Sequence, residues 1–402
     1  MPDDKIDVGN VTSDEMVARA RTLLPILRER AEETEKLGNI PAETMEDFRR
    51  LGLLRMSQPH RYGGYEMGWD VQCEIGQLLA AADCSQAWIQ RIIADHAQMV
   101  ATFPAEAQEE VWADDHDTII CASFEPVGRA TPVEGGFRFS GTHGFASGID
   151  YADWLICGGF IIDGDKRDGP HFFLARRSDA TIIDDWDTMG LEGTGSKSFV
   201  LEDVFIPAYR FLDGALAHVG KGPGTDVNTA TVYRIPRGGV TPTGFAAMTV
   251  GTAQGVLEEW LRYTGPRKSR GVSLAADPGM HMIAARSSAE IAAAESLYLN
   301  TIRDAQCRLE AGETLSAFDL SRARRNVSFS TKLALKAGTR LFNAAGGRAI
   351  MRSNALERQY RNLLASASHF ATVWERNALI YGKELLERSI ADAEKIQREK
   401  IE

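Results

Sequence analysis

Cysteine is scarce in this sequence: five residues among 402, Cys73, Cys84, Cys121, Cys157 and Cys307, odd in number, scattered, and nowhere spaced as C-x-x-C. That excludes a disulfide framework or zinc ribbon and leaves reduced, mostly buried small hydrophobes as the reading. Uncharged apolar runs are short as well, none approaching the ~18 residues of a membrane span. The first ten residues are polar and acidic, unlike a secretion signal. A cytoplasmic protein without membrane association is expected. Positive charge is in deficit, with 45 Lys and Arg against 56 Asp and Glu and a net charge of -11. No long basic cluster stands out, so the footprint a nucleic-acid partner needs is missing. No G-x-G-x-x-G turn follows a strand, so the chain carries no nicotinamide domain and reducing equivalents must come from elsewhere. His60, His116, His143, His171, His218 and His281 show no metal-ligand spacing with a carboxylate, and no metal is expected.

What is present is the composition of an ordinary enzyme, 44% hydrophobic and 25% charged, in a chain long enough for two or three domains. From Ser13 to about Trp112 apolar residues recur at helical spacing, as in Leu23, Leu24, Leu27 and Ala31, or Ile75, Leu78, Leu79 and Ala82. Pro41 suits the first turn of a helix, and Tyr62-Gly63-Gly64-Tyr65 reads as a loop. Between about Asp114 and Arg210 the pattern shifts to short β runs such as Thr118-Ile119-Ile120-Cys121 and Trp154-Leu155-Ile156-Cys157, separated by Gly and Asp turns. Gly220 to Thr225 is a Gly/Pro-rich passage. From about Pro242 the sequence is helical again, with length for roughly four bundle helices. The expected architecture is α+β and mainly α: an N-terminal helical domain (1–113), a middle β barrel or sandwich (114–225) and a C-terminal four-helix bundle (226–402).

Within the β block, Gly136 to Trp154 reads as two strands meeting at a small-residue turn. Phe145 and Ser147 stand there among Gly and Ala, so that a large flat ligand can approach the backbone closely. A second stretch runs from Trp186 through Met189-Gly190-Leu191-Glu192-Gly193-Thr194-Gly195-Ser196 to Leu201-Glu202-Asp203-Val204-Phe205-Ile206-Pro207. In order and spacing the two resemble the flavin-contacting segment and the next signature of the acyl-CoA dehydrogenase superfamily. Leu51-Gly52-Leu53-Leu54, the run Leu341 to Ala349, and Leu356 to Asn362 are similar to further superfamily segments. The order helices, β block, bundle is also that of the superfamily, so the resemblance spans nearly the whole chain.

Dehydrogenases of this superfamily need a carboxylate to remove the proton alpha to a thioester carbonyl, commonly shortly after an Arg-Asp near the C-terminus. Here Arg361-Asn362 is followed by Leu363 to Glu375 with His369 almost in that place, and Glu375 is displaced by more than a helical turn. His369 resembles instead the C-terminal histidine of the superfamily's two-component flavin-dependent monooxygenases, among them aromatic hydroxylases of the p-hydroxyphenylacetate hydroxylase kind. Cys84 to His96 is similar to their helix with a tryptophan, Trp88, and a histidine eight residues on, His96. A lone histidine or tryptophan on an apolar helix is ordinarily a core residue. It is the joint occurrence with the Phe145–Ser147 turn that points to a site.

The resemblance implies an oxygenase component that takes reduced FMN or FAD as co-substrate from a separate flavin reductase. With O2 it forms a flavin C4a-hydroperoxide and hydroxylates a small aromatic substrate of phenolic, arylacetate or indole type. It implies catalytic roles for His96, Ser147 and His369: Ser147 accepting from flavin N5–H, His369 on the peroxyflavin side and His96 on the substrate side. With an unperturbed pKa near ~6.5, histidine suits proton transfer at neutral pH. It further implies cofactor contacts from Ser123, Phe145, Arg267 and Arg270, the arginines at the flavin phosphate. Substrate contacts would come from Trp88, His96, Tyr233 and Arg234, in a homotetramer. The rival readings are an acyl-CoA dehydrogenase or oxidase with a relocated carboxylate, and a non-catalytic relative kept for assembly.

Overall fold

Six helices fill the first block of the computed structural model: α1 (Ser13–Thr22), α2 (Leu24–Leu37), α3 (Ala42–Arg50), α4 (Trp69–Ala82), α5 (Cys84–Val100) and α6 (Ala105–Trp112). The structure describes residues 11–399, and side chains as far as residue 390. Gly38 ends α2 in the left-handed region at φ 61°, and Pro41 directly precedes α3. The helix α5 is buried on every side, which makes it the axis of the block. Its glutamine amides each find an acceptor: Gln86, Gln90 and Gln98 donate to the carbonyls of Leu27, Leu53 and Val232 at 2.9, 2.8 and 2.9 Å.

The β block is one seven-stranded sheet of order β5-β6-β2-β1-β3-β4-β7. Its strands are β1 (Ile120–Val133), β2 (Gly136–Ala146), β3 (Trp154–Asp163), β4 (Lys166–Arg176), β5 (Thr181–Ile183), β6 (Lys197–Pro207) and β7 (Phe211–Leu212). The pair β1–β3 is parallel and the other neighbours are antiparallel. A short helix α7 (Gly214–His218) leads out of the sheet. The last block holds α8 (Thr243–Thr264), a hairpin of β8 (Lys268–Ser269) and β9 (Val272–Ser273), then α9 (Pro278–Glu310), α10 (Ala317–Ala344), α11 (Ala355–Ala367) and α12 (Trp374–Glu399). These are five helices where about four were expected, because Gly346 at φ 82° breaks the chain after α10 and α11 starts afresh. One apolar core runs through all three blocks, joining Trp69 and Trp112 to Ile120 and Trp154 of the sheet and to Tyr298, Val327 and Leu341 of the bundle.

A separate sheet core contains Phe139, Phe173 and Phe199, and His143 lies inside it. Its ring stacks between Phe139 and Phe199 at centroid distances of 5.8 and 5.0 Å, and neither ring nitrogen has a hydrogen-bond partner. Burial holds this imidazole down at about 4. The unfolded chain takes up a proton near pH ~6.5 and the folded chain refuses it until about 4. Stability present above pH ~6.5 therefore drains away between those values. His143→Phe is expected to reduce the loss of unfolding free energy between about pH 7 and 4.5 by roughly 2–3 kcal/mol. Urea titrations across that range check it, and identical pH slopes for the two proteins would refute it.

Candidate active site

Trp88 and His96 lie eight residues apart on α5, on one side of the helix and ~12 Å apart along its axis. At the Trp88 end, Phe245 of α8 and His369, just after α11, close around the indole with ring centroids 5.5 and 5.9 Å away. Phe245 and His369 stack on each other at 3.7 Å and 21°. At the other end His96 meets Phe124 edge-on at 5.6 Å, and Phe124 meets Phe172 at 5.7 Å. Phe124 reaches α5 because the β1–β3 register slips between Ser123 and Gly128, a bulge that re-aims side chains. Ser123, buried just before the slip, pairs with Cys157 across the ladder.

The two histidines are held in opposite tautomers. His96 Nδ1 is 2.8 Å from the Ile120 carbonyl oxygen; a carbonyl only accepts, so Nδ1 bears the proton and Nε2 a lone pair. His369 Nδ1 accepts from the Ala371 amide at 3.3 Å, which leaves the proton of its neutral ring on Nε2. Burial pushes both imidazoles down to about 4, in His96 against the pull of the Asp95 charge and the Ile120 carbonyl. Both are neutral at pH 7, one poised to take a proton and one to give a hydrogen bond.

Beside His96, Asp95 is gripped by Arg237 through two bonds, Nη1–Oδ1 2.9 Å and Nη2–Oδ2 3.1 Å. Burial pushes the Asp95 carboxyl up, but the guanidinium outweighs it and holds the group below its ordinary value. Arg237 also lies over the Phe124 ring at 4.9 Å. This carboxylate is therefore engaged and unsuited to serve as a base, and Glu375 is exposed at the start of α12.

The β2 turn comes against α5 at Gly148, where a Cβ would sit 3.3 Å from Ile89. The Gly148 amide donates to the Thr194 carbonyl at 3.0 Å, so the two signature stretches are bonded together. Ser147 Oγ is 2.6 Å from Ser196 Oγ, which is 2.6 Å from Thr194 Oγ1. Phe145, at φ 58°, turns its ring outward, 72% exposed, with only Trp186 edge-on at 5.9 Å. An exposed aromatic in the left-handed region costs energy and needs a reason. A flat ring system seated on it would supply one.

The remaining expected residues stand apart from these rings. Tyr233 is fully buried, its hydroxyl donating to the Ser57 carbonyl at 3.1 Å, and Arg234 donates to Thr231 Oγ1 at 3.2 Å. Arg267 donates to the Ala345 carbonyl at 2.6 Å and lies over Tyr263 at 4.3 Å. Arg270 is exposed in the β8–β9 turn at φ 48°. No hydrogen bond or ring contact among the described residues joins either arginine to His96, Ser147 or His369. No group of three or more His, Cys, Asp or Glu among the described residues is placed to hold a metal ion.

Family profiles for the acyl-CoA dehydrogenase N-terminal and C-terminal domains match residues 16–115 and 243–374. The oxygenase subunit HsaA of a flavin-dependent monooxygenase from Rhodococcus jostii is 35% identical over 90% of this chain and 96% of its own. The chain belongs to the flavin-dependent monooxygenases of the acyl-CoA dehydrogenase fold. A resorcinol hydroxylase oxygenase component from a Rhizobium, FADH2-dependent by its name, is 31% identical over 92% of this monooxygenase and 94% of its own length. The crystal structure of the HsaA monooxygenase from Mycobacterium tuberculosis superposes with a TM-score of 0.90 at 32% identity, covering 94% of this chain and 98% of that one.

The flavin that such a monooxygenase uses fits what is present: a small-residue turn, an outward aromatic at Phe145, and the buried hydroxyl of Ser147. Five residues of the candidate site carried no role of their own in the sequence. Thr194 and Ser196 lay inside a recognised segment, and Phe124 follows Ser123 in the run Ser123-Phe124-Glu125-Pro126 that resembles the family's flavin-lining strand. Phe245 and Arg237 sit in no motif, because they meet α5 only across more than a hundred residues of chain.

Proposed function

We propose that this monooxygenase hydroxylates a small phenolic substrate with O2 and reduced flavin delivered by a separate reductase. The observation that carries the reading is the pair of opposed tautomers, a lone pair on His96 Nε2 and a proton on His369 Nε2, each among aromatic rings at one end of the Trp88–His96 stretch of α5. The name of the resorcinol hydroxylase relative supports a phenol over other arenes.

Bound reduced flavin supplies the two electrons with which one oxygen atom goes to the substrate and the other leaves as water. The protein's residues bind, orient and keep water out. With flavin bound, Ser147 would accept a hydrogen bond from N5–H, Ser123 would line the ring, Phe145 would lie against it, and Arg267 and Arg270 would serve the phosphate, Arg270 from a neighbouring copy in a homotetramer. The exposed Leu379, Leu386 and Ile390 of α12 offer apolar surface for such assembly. His369 Nε2–H donates at the oxygen side. His96 Nε2 accepts the phenolic proton, which raises electron density on the ring carbons where oxygen is added. Trp88, Phe245 and Phe124 shape the substrate wall, and Arg237, paired with Asp95, lies over the Phe124 ring. Five free cysteines suit a reducing cytoplasm, and no described helix is long and apolar enough to cross a membrane.

The deciding experiment mixes the protein anaerobically with reduced FMN or FAD and a panel of phenols, then admits O2. Hydroxylated phenol accounting for most of the O2 consumed is the expected result. Release of all the oxygen as hydrogen peroxide with every phenol, or reduction of bound oxidised flavin by an acyl-CoA thioester, would defeat the reading.

A further inference from the structure

The hydroxyl groups beside Ser147 form a chain with a defined direction. Thr194 Oγ1 is 2.8 Å from the Leu191 carbonyl oxygen. Two oxygens cannot rest that close without a hydrogen between them, and the carbonyl has none, so Thr194 donates there. Its hydroxyl then has only lone pairs to offer Ser196, 2.6 Å away, and Ser196 must donate to it. Ser196 in turn has only lone pairs for Ser147, also at 2.6 Å, so Ser147 donates to Ser196. All three hydroxyl-bearing residues are buried.

The carbonyl that starts the chain is itself held. The Thr194 amide and the Trp186 indole N–H also donate to it, at 3.0 and 3.1 Å. The Leu191 amide donates to Asn362 Oδ1 of α11 at 2.8 Å. The Gly148 amide, next to Ser147, donates to the Thr194 carbonyl at 3.0 Å. Backbone and side chains thus lock both ends of the relay.

We propose that Thr194 and Ser196 are positioning residues that make Ser147 an obligate hydrogen-bond acceptor, and that this selects reduced flavin over oxidised flavin. The proposal rests on Ser147 lying at flavin N5. Reduced flavin carries a hydrogen on N5 and can donate to Ser147; oxidised flavin presents a lone pair there and would meet the lone pairs of the serine. An untethered serine would simply rotate its hydroxyl and donate to the oxidised form. The relay removes that option, so product flavin is released and reduced flavin retained without any rearrangement of the protein.

The test is the ratio of dissociation constants for oxidised and reduced FMN or FAD, measured anaerobically by fluorescence quenching and ultrafiltration, without turnover. The full chain should prefer the reduced form. Ser196→Ala and Thr194→Val should each lower that preference roughly 3- to 10-fold, the range of one neutral hydrogen bond, with much of the change in tighter binding of oxidised flavin. Thr194→Ser, which keeps the hydroxyl, should restore it and guards against a mere folding defect. If Ser147→Ala lowers the preference and Ser196→Ala and Thr194→Val leave it intact, the relay is wrong although the placement of Ser147 stands. If Ser147→Ala changes nothing, the serine does not meet N5 and the placement itself fails.

Discussion

His96→Gln should lower hydroxylated product roughly 10²- to 10⁴-fold, the span of a lost general base, while O2 consumption with reduced flavin continues as hydrogen peroxide. The amide of glutamine can still donate to the Ile120 carbonyl that His96 Nδ1 now bonds at 2.8 Å, so the local fold should survive. What it cannot do is take a proton as the Nε2 lone pair does. Product yield per O2, measured by chromatography alongside a peroxide assay, separates this from a flavin-side defect, in which both quantities would fall together. The pH profile adds an independent check. Burial holds His96 down at about 4, so the base stays competent as pH falls through neutrality, and the acid limb of product formation should lie near 4 and not near the ordinary imidazole value. A limb at ~6.5 would show that this imidazole is solvated during the reaction.

The largest effect on stability is expected at Arg237. Its guanidinium forms both bonds to the buried Asp95 carboxylate. Arg237→Met would leave that buried charge without its ion-pair partner, and removing one partner of a buried pair costs about 3–5 kcal/mol. The sign with pH follows from the cause. With Arg237 present, Asp95 is held below its ordinary value and its contribution is lost only in strong acid. Without it, burial is opposed only by the weaker pull of Arg91 and His96 and the carboxyl rises, so the variant should recover part of its deficit as pH is lowered and the group is protonated. Adding Asp95→Asn to Arg237→Met should restore much of the stability at pH 7, because the stranded charge is gone. A double variant no more stable than Arg237→Met in urea unfolding would mean that packing, not charge, ties these residues.

Much of this protein was legible along the chain. Helical spacing placed the first block, Pro41 marked where a helix begins, and the turn from Phe145 to Gly148 announced close backbone approach. These are local matters, set by periodicity and by which residues tolerate a given φ. The sheet was harder. Short β runs read as a barrel or sandwich, whereas the order of seven strands in one sheet, with β1 beside both β2 and β3, depends on pairings that local sequence does not encode. The bundle was expected to hold roughly four helices and has five, because the 13 residues of α11 follow a short turn whose effect on direction is not visible in composition.

The residue types of the site, two histidines, a tryptophan and a serine in a small-residue turn, were determined by the sequence and recognisable in it. Their chemical states were decided only by the tertiary structure. Which nitrogen of His96 bears the proton depends on Ile120, 24 residues away, and whether Asp95 is a free carboxylate depends on Arg237, 142 residues away. The direction of the Ser147 hydroxyl likewise depends on Ser196, 49 residues on. A proton's position answers to whichever acceptor lies within hydrogen-bonding distance, and burial sets the dielectric around it. Both are properties of the folded neighbourhood, which no stretch of the chain carries by itself.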